Sequence, residues 1–301
     1  MKIAIFGSSG FIGKNLLKSL RLNAEIQEVF VREKSWQTSL DEGNHVFINL
    51  VGKAHDHTGT ATEEDYFFAN VEILQQIFET FKKSNAELFI HISSLAALEE
   101  FEAEKPLAES DECRPSSIYG QSKRKAEEWL LQQNLSPNKK LIIIRPPMVH
   151  GAGDKGNLGL LYKLISKGIP YPLASFNNER SFISIDNFVF YIEKIIEKNR
   201  SLENGIYHIA DAESLSTKKI ISIIKDVLQK KVPDISVPRF IVRKLARIGD
   251  FSSFPLNTKR LKKMTGNLLV SNEKINASLK INKLPVTAEE GLLKTIKSFQ
   301  K

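Results

Sequence analysis

The chain has 301 residues, 42% hydrophobic and 26% charged, with 43 Lys and Arg against 35 Asp and Glu, a formal net charge of +8; this suits one large α/β core with an appended smaller lobe, and nothing suggests repeats or low complexity. Its single cysteine, Cys113, excludes an intramolecular disulfide and fits a reducing compartment. No run approaches the ~18 apolar residues of a membrane span, and the glycine turn so soon after Met1-Lys2 leaves no room for a signal peptide's apolar core, so a cytoplasmic protein is expected.

The apolar run Lys2-Ile3-Ala4-Ile5-Phe6 predicts a strand at 2–6, which turns at once into Gly7-Ser8-Ser9-Gly10-Phe11-Ile12-Gly13 and an amphipathic helix over 11–20 through Leu16, Leu17 and Leu20. Strand, tight glycine turn and helix form the setting in which such glycines bind a dinucleotide. Gly7 permits the turn, Gly10 lets the backbone approach a pyrophosphate at the helix amino terminus, and Gly13 lets the helix pack on its strand. Ser9, Phe11 and Ile12 complete that cofactor loop.

A second strand is predicted at 28–31, with its carboxyl end at the adenosine ribose, where an acidic residue would bond the 2′-hydroxyl of NAD. Arg32 stands there, followed by Glu33 and Lys34. An arginine suits the 2′-phosphate of NADP; Glu33 could serve a ribose diol instead, and the cluster is equally readable as solvated surface. Only the thirteen residues Arg32 to Asn44 separate this strand from the apolar run 46–50, too few for the usual helix, strand and helix. The adenine side of the pocket is therefore expected to be reduced or rebuilt around Trp36, unless Trp36 is a core residue.

Strands at 46–50, 87–92 and 141–144 alternate with helical patterns near 65–83 and 116–133, as a doubly wound parallel sheet requires. Ser94 follows the fourth strand, and Tyr119 and Lys123 lie one turn apart on a helix. A phenol has an unperturbed pKa near ~10, and a neighbouring ammonium can bring it toward neutrality and make it a general acid/base. Ser94 could hold the substrate oxygen from the other side. After Gly151 the regularity fades. Arg180 to Asp186, Ile206 to Ile209 and helix-like runs at 187–198 and 216–230 read as a discontinuous substrate lobe interleaved with the last strands of the sheet. The chain divides into a dinucleotide-binding domain, 1–150, and a mainly substrate-binding lobe, 151–301.

These residues, with Ile48-Asn49-Leu50-Val51-Gly52, Asn70-Val71, His91-Ile92-Ser93-Ser94, Tyr119-Gly120-Gln121-Ser122-Lys123, Arg145-Pro146-Pro147-Met148-Val149-His150-Gly151 and Arg180 through Asn187, resemble the extended short-chain dehydrogenase/reductase family in its nucleotide-sugar epimerase, dehydratase and reductase branch. The resemblance covers essentially the whole chain and implies a Rossmann-type sheet. It implies that Tyr119 is the acid/base, that Lys123 bonds the nicotinamide ribose and tunes Tyr119, and that Ser94, the second serine of its pair, polarises the substrate oxygen. Leu50, Val51, Gly52 and Asn70, which with Val71 opens the next helix's apolar run, would border the cofactor, and Pro147 and Val149 would lie against the nicotinamide. Asn157 and Arg180 would hold the pyrophosphate of a nucleotide sugar, since an arginine fork binds phosphate oxygens bidentately. Their structural alternatives are a helix cap at Asn157 and a salt bridge from Arg180 to Asp186 or Glu179.

Arg32 tilts the cofactor toward NADP and the reaction toward C4 keto-reduction of a UDP-4-keto-hexosamine for surface polysaccharide. Leu95-Ala96-Ala97-Leu98, in place of an epimerase-like Val-Tyr-Gly ending, points the same way, and the stretch Met264 to Ile275 resembles bacterial surface-polysaccharide members. The alternatives are a UDP-glucose or UDP-N-acetylglucosamine 4-epimerase that keeps its NAD, and a non-catalytic NADP-binding scaffold on the same fold. A 4,6-dehydratase is disfavoured because Ala96-Ala97 supplies no carboxylate and Glu99 and Glu100 come late. The late basic residues, Arg239, Arg243, Lys244, Arg247, Lys259, Arg260, Lys262 and Lys263, read as solvated helix face with some steering of an anionic substrate, and no nucleic-acid partner is expected. His55, Asp56 and His57 have no third ligand at metal spacing, so no metal is expected. A homodimer is compatible with the sequence.

Overall fold

Runs such as Ile3 to Phe6, Val46 to Asn49 and Leu88 to Ile92 are buried residue after residue, the mark of strands covered on both faces. The computed structural model, which describes residues 1–33, 35–54, 60–154, 156–173, 175–251 and 257–300, arranges them in chain order as β1 Lys2–Phe6, β2 Glu25–Val29, β3 Val46–Asn49, β4 Leu88–Ile92, β5 Lys140–Arg145, β6 Met148–His150, β7 Phe182–Ser184 and β8 Gly205–His208. Six form a sheet in the order β2-β1-β3-β4-β5-β8, parallel throughout, and β6 pairs with β7 in a small parallel sheet of its own.

Alternation along each strand feeds two cores. Ile3, Ile5, Ile48, Ile90 and Ile142 pack with Leu16 of α1 (Phe11–Ser19) and Phe188 and Ile192 of α6 (Ile185–Glu197). Ala4, Phe6, Phe47, Phe89 and Ile143 pack on the other face with Phe78 and Phe81 of α3 (Ile73–Lys83) and Leu130 of α4 (Ile118–Leu131). A third core joins α5 (Asn157–Ser166), α7 (Thr217–Leu228) and α11 (Ala288–Ser298) through Leu158, Ile224 and Leu292. The remaining helices are α2 Glu63–Phe67, α8 Arg239–Gly249, α9 Thr258–Thr265 and α10 Glu273–Leu279. Among the described residues, no helix is long and apolar enough to cross a membrane.

One expectation changes, and the alternative left open at Trp36 is decided. The second strand lies at Glu25–Val29, not 28–31; it is the edge strand, and its polar Glu25, Gln27 and Glu28 hide it from an apolar pattern. Asn70 lies inside a π-helical turn at Phe68–Glu72 that joins α2 and α3 into one element. Trp36 is a core residue, 5% exposed and edge-on to Phe6 at 5.7 Å, so it is not an adenine platform. Among the described residues between β2 and β3 no helix or strand intervenes.

Burial also sets the response to acid. His91, His150 and His208 are fully buried, and desolvation lowers all three, His150 to about 4, His208 to about 3 and His91 well below its ordinary value. Each imidazole binds its proton in the unfolded chain near pH ~6.5 but resists it when folded, so stability present above that pH is lost as pH falls toward the folded values. Asp211, raised to about 6 by burial, acts in the opposite sense, since it keeps its proton longer when folded. With three imidazoles against one carboxyl, thermal melts should show the melting temperature dropping between pH 6.5 and 4. A flat profile there would contradict this assignment.

Candidate active site

The chain runs from β1 to β2 on one side and then crosses to β3 on the other, so a crevice opens at the carboxyl ends of β1 and β3. Gly7 sits there at φ +85°, and a Cβ on it would stand 2.9 Å from the Val51 nitrogen and 3.0 Å from the Leu50 carbonyl carbon. Gly13 is tighter still, with the Gly7 oxygen and Ser8 Cα each 2.6 Å from a Cβ, so a side chain at either position would push the turn off the sheet. α1 starts from Gly10, whose position supplies no side-chain cap for the helix's first N–H groups. The loop with Ser9, Phe11 and Ile12 is thereby held as a backbone cradle at a helix amino terminus, the geometry that takes a pyrophosphate.

Across the crevice, Gly52, Asn70 and Lys123 converge. A Cβ on Gly52 would come within 2.7 Å of Asn70 Oδ1 and 3.1 Å of Lys123 Nζ. Asn70 accepts from the Lys53 N–H at 2.9 Å and donates to Ser122 Oγ at 2.7 Å, tying the end of β3 to α4. The π turn places this side chain mid-helix, within the helical pattern expected over 65–83. Leu50 continues the β1–β3 ladder by donating to the Phe6 carbonyl at 2.9 Å.

Ser94 lies just past β4, where its Oγ accepts from the Ala96 N–H at 3.2 Å. α4 begins beside it. Ser117 caps that helix through the Gly120 N–H at 3.0 Å, which brings Tyr119 to the first turn, near enough to Ser94 for the serine to act on the phenol's pKa. Gly120 permits the approach, since a Cβ there would lie 2.4 Å from both the Ala96 carbonyl oxygen and Glu100 Oε1. One turn on, Lys123 Nζ donates to the Ile92 carbonyl at 2.9 Å.

The electrostatics depart from expectation. Burial raises the Tyr119 pKa, Ser94 draws it back and Glu100 raises it further, and no lowering by Lys123 enters. Burial dominates Lys123 as well, bringing it down to about 8 while Glu127 holds it up. Its ammonium is anchored on Ile92, so in this structure Lys123 does not bring the phenol toward neutrality.

Several contributors escaped the sequence reading. Glu100, 8% exposed, accepts from the Ser117 N–H at 3.0 Å and so fixes the start of α4 beside Tyr119. Glu127, four residues after Lys123, accepts from Ser93 Oγ at 2.6 Å and from Arg145 Nε and Nη2 at 2.8 and 2.6 Å. Arg145 Nη2 also reaches Cys113 Sγ at 3.3 Å. This buried pair stands behind the Ser93-Ser94 loop, whose Leu95 N–H is bonded to Pro146 at 2.8 Å. Pro147 lies buried between β5 and β6, and Val149 is part-buried on β6.

The remaining predicted residues are not gathered with these. Arg32 lies exposed in the turn after β2. Asn157 is exposed and is the first residue of α5; Gly156 is the cap position, so Asn157 is not the cap. Arg180 makes neither proposed salt bridge, because Asp186 pairs with Lys294 at 2.8 Å and Glu179 accepts from Ser214 at 2.7 Å. Its guanidinium donates to the carbonyls of Phe101 at 3.0 Å, Gly266 at 3.1 Å and Glu100 at 3.4 Å, bracing the loop after Ser94 against the lobe. Burial without a carboxylate lowers its pKa to about 10. Lys34 and the His55-Asp56-His57 stretch lie outside the described residues. Among the described residues no three His, Cys, Asp or Glu side chains gather as metal ligands.

The family model of the NAD dependent epimerase/dehydratase family matches residues 3–210, which span the glycine turn, Ser94, Tyr119 and Lys123. The chain belongs to that family. A Vibrio cholerae UDP-glucose 4-epimerase is 27% identical over 99% of this chain and 95% of the relative. An Escherichia coli O157:H7 N-acetyl-alpha-D-glucosaminyl-diphospho-ditrans,octacis-undecaprenol 4-epimerase is 24% identical over 98% and 94%. In fold, the epimerase/dehydratase chain is similar to RMD from Pseudomonas aeruginosa complexed with NADPH, with TM-score 0.78, 15% identity and both chains covered in full. It is also similar to UDP-glucuronic acid 4-epimerase from Bacillus cereus in complex with NAD, with TM-score 0.75, 18% identity and coverage of 100% and 99%. Membership makes the protein an NAD(P)-dependent enzyme of the nucleotide-sugar class. The glycine cradle, with its uncapped helix start facing Gly52, Asn70 and Lys123, fits a nicotinamide dinucleotide.

Proposed function

We propose that this enzyme carries out C4 keto-reduction of a sugar joined through a diphosphate to uridine, with NADPH as its preferred cofactor. The observation that carries the reading is Tyr119 on the first turn of α4 beside the Ser94 loop, near enough for Ser94 to draw the phenol's pKa down, with Lys123 one turn further on beside Gly52 and Asn70. When bound, the dinucleotide supplies or accepts a hydride. Gly7, Ser9, Gly10, Phe11, Ile12 and Gly13 hold its pyrophosphate, Leu50, Val51, Gly52 and Asn70 line its path, Lys123 bonds its ribose, and Pro147 and Val149 back its nicotinamide. Ser94 donates to the sugar's C4 oxygen and orients it. Tyr119 delivers the proton to that oxygen, and its raised pKa keeps it protonated and ready to act as an acid near neutrality. Asn157 and Arg180 hold the diphosphate; the Arg180 guanidinium donates to the carbonyls of Phe101, Gly266 and Glu100, but no carboxylate within salt-bridge distance among the described residues neutralises its charge.

The second reading, a 4-epimerase that retains its nicotinamide cofactor, is favoured by the two full-length relatives named as 4-epimerases. Turnover of a panel of UDP-linked 4-keto and 4-hydroxy sugars, with NADPH and with NADH, separates the two. Stoichiometric NADPH consumption on a 4-keto sugar supports the reductase. Interconversion of 4-hydroxy epimers without added cofactor supports the epimerase.

Arg32 supplies a second test. A charge-assisted bond to a 2′-phosphate contributes about 1.5–3 kcal/mol, so Arg32→Ala should weaken NADPH binding roughly ten- to a hundredfold and leave NADH binding nearly unchanged. Fluorescence titration with both cofactors reads this directly. Equal losses would remove Arg32 from cofactor choice.

A further inference from the structure

We infer that α8, continued by the basic side chains of α9, is a docking face for the surface of an anionic phospholipid bilayer. Its sequence runs Arg239-Phe240-Ile241-Val242-Arg243-Lys244-Leu245-Ala246-Arg247-Ile248-Gly249. Val242, Ala246 and Gly249 are buried and fall within about 60° of helix surface at ~100° per residue, which is all that α8 gives to the lobe. Phe240 is 70% exposed, Ile241 38% and Leu245 42%, all outside that stripe and roughly 150°, 110° and 70° from its middle at ~100° per residue, and Phe251, just past the helix, is 94% exposed. Large apolar side chains in contact with water on one helix face mark an interaction surface.

Charge identifies the partner. Between Arg239 and Lys263 the chain has eight basic residues against one acidic, Asp250, so this stretch holds nearly the whole net charge of +8. Among the described residues, no carboxylate lies within 4.0 Å of the cationic groups of Arg243, Lys244 or Arg247. A basic flank beside exposed Phe and Leu on one short helix is the pattern of an element that lies in the headgroup plane, with its apolar side chains among the acyl chains and its cations at anionic headgroups. A second copy of the same face is disfavoured, because it would press two strongly positive surfaces together. The sequence reading took these basic residues as solvated helix face; Phe240 and Phe251 stand among them, and their exposure turns a charge cluster into a docking face.

The face also adjoins the candidate active site. Lys262 pairs with Glu102 at 3.2 Å and Lys259 sits over the Phe101 ring at 5.7 Å, both on the loop that leads away from Ser94. Arg180 ties that loop to Gly266, immediately after α9. A bilayer held by α8 would therefore lie beside the substrate lobe.

Flotation with vesicles of phosphatidylcholine alone, and of phosphatidylcholine with 30% phosphatidylglycerol, tests the proposal on the full-length protein. Wild type should float with the anionic vesicles and stay behind with the neutral ones. Phe240→Ser/Phe251→Ser should lower partitioning at least about tenfold, given two exposed apolar anchors removed. Arg243→Glu/Lys244→Glu/Arg247→Glu should lower it by more than about a hundredfold. Both variants should keep the wild-type melting temperature, because all the altered side chains are exposed. Failure of wild type to float with anionic vesicles would overturn the proposal. So would equal flotation of wild type and both variants, vesicle-independent binding to duplex DNA, or a wild-type dimer that the Phe240→Ser/Phe251→Ser variant dissociates.

Discussion

Tyr119→Phe should lower turnover about a hundred- to ten-thousandfold, the usual contribution of a positioned general acid, while cofactor affinity and melting temperature stay near those of the wild type. The substitution removes only the hydroxyl whose pKa Ser94 draws down and leaves the ring in place on the first turn of α4. The helix itself does not depend on that hydroxyl. Its start is fixed by Ser117, which caps Gly120 at 3.0 Å, and by Glu100, which accepts from the Ser117 N–H at 3.0 Å. Steady-state kinetics on the active member of the sugar panel, with cofactor titration by fluorescence, provides the check. Retention of more than a third of wild-type activity would remove Tyr119 from the chemistry.

Glu127→Ala should cost about 3–5 kcal/mol of stability, because it strands a buried guanidinium. Arg145 and Glu127 side chains are 1% and 0% exposed and joined by two hydrogen bonds, and Arg145 Nη1 already has no partner. A loss of that size corresponds to a fall in melting temperature on the order of 10 °C. Glu127→Leu combined with Arg145→Met removes both charges and should recover much of the loss. A single variant that melts within about 2 °C of wild type would show the pair to be dispensable. The same substitution removes the carboxylate that holds up the Lys123 pKa and the acceptor that fixes Ser93, so residual activity should fall as well.

The parts of the site legible in the sequence are those whose geometry is local. Gly7, Gly10 and Gly13 are read from a strand, a turn and a helix start within one short stretch, and Tyr119 and Lys123 from one helical turn. What escaped depends on partners far along the chain. Arg145 meets Glu127 only because β5 lies beneath α4, and the one signal was that Glu127 follows Lys123 by one further turn on the same face. Neither salt bridge considered for Arg180 forms, and its contacts in this structure are main-chain carbonyls, which no side-chain pattern announces. The edge position of β2 weakened its apolar pattern, and its start lies three residues earlier than expected. For Lys123 the charge was counted and the desolvation was not, and burial is the larger effect on both Lys123 and Tyr119.

The central claim is that hydride moves between the nicotinamide and C4 of the sugar under control of Tyr119. Deuterium labelling tests it most directly: wild type and Tyr119→Phe are each incubated with NADPH deuterated at nicotinamide C4 and a UDP-4-keto-6-deoxy-N-acetylhexosamine, and the sugar product is analysed by mass spectrometry and NMR. The predicted result is one deuterium at sugar C4 in the wild-type product and almost none formed by Tyr119→Phe over the same time. Wild-type product without deuterium at C4, or labelled product formed equally by both proteins, would contradict the account.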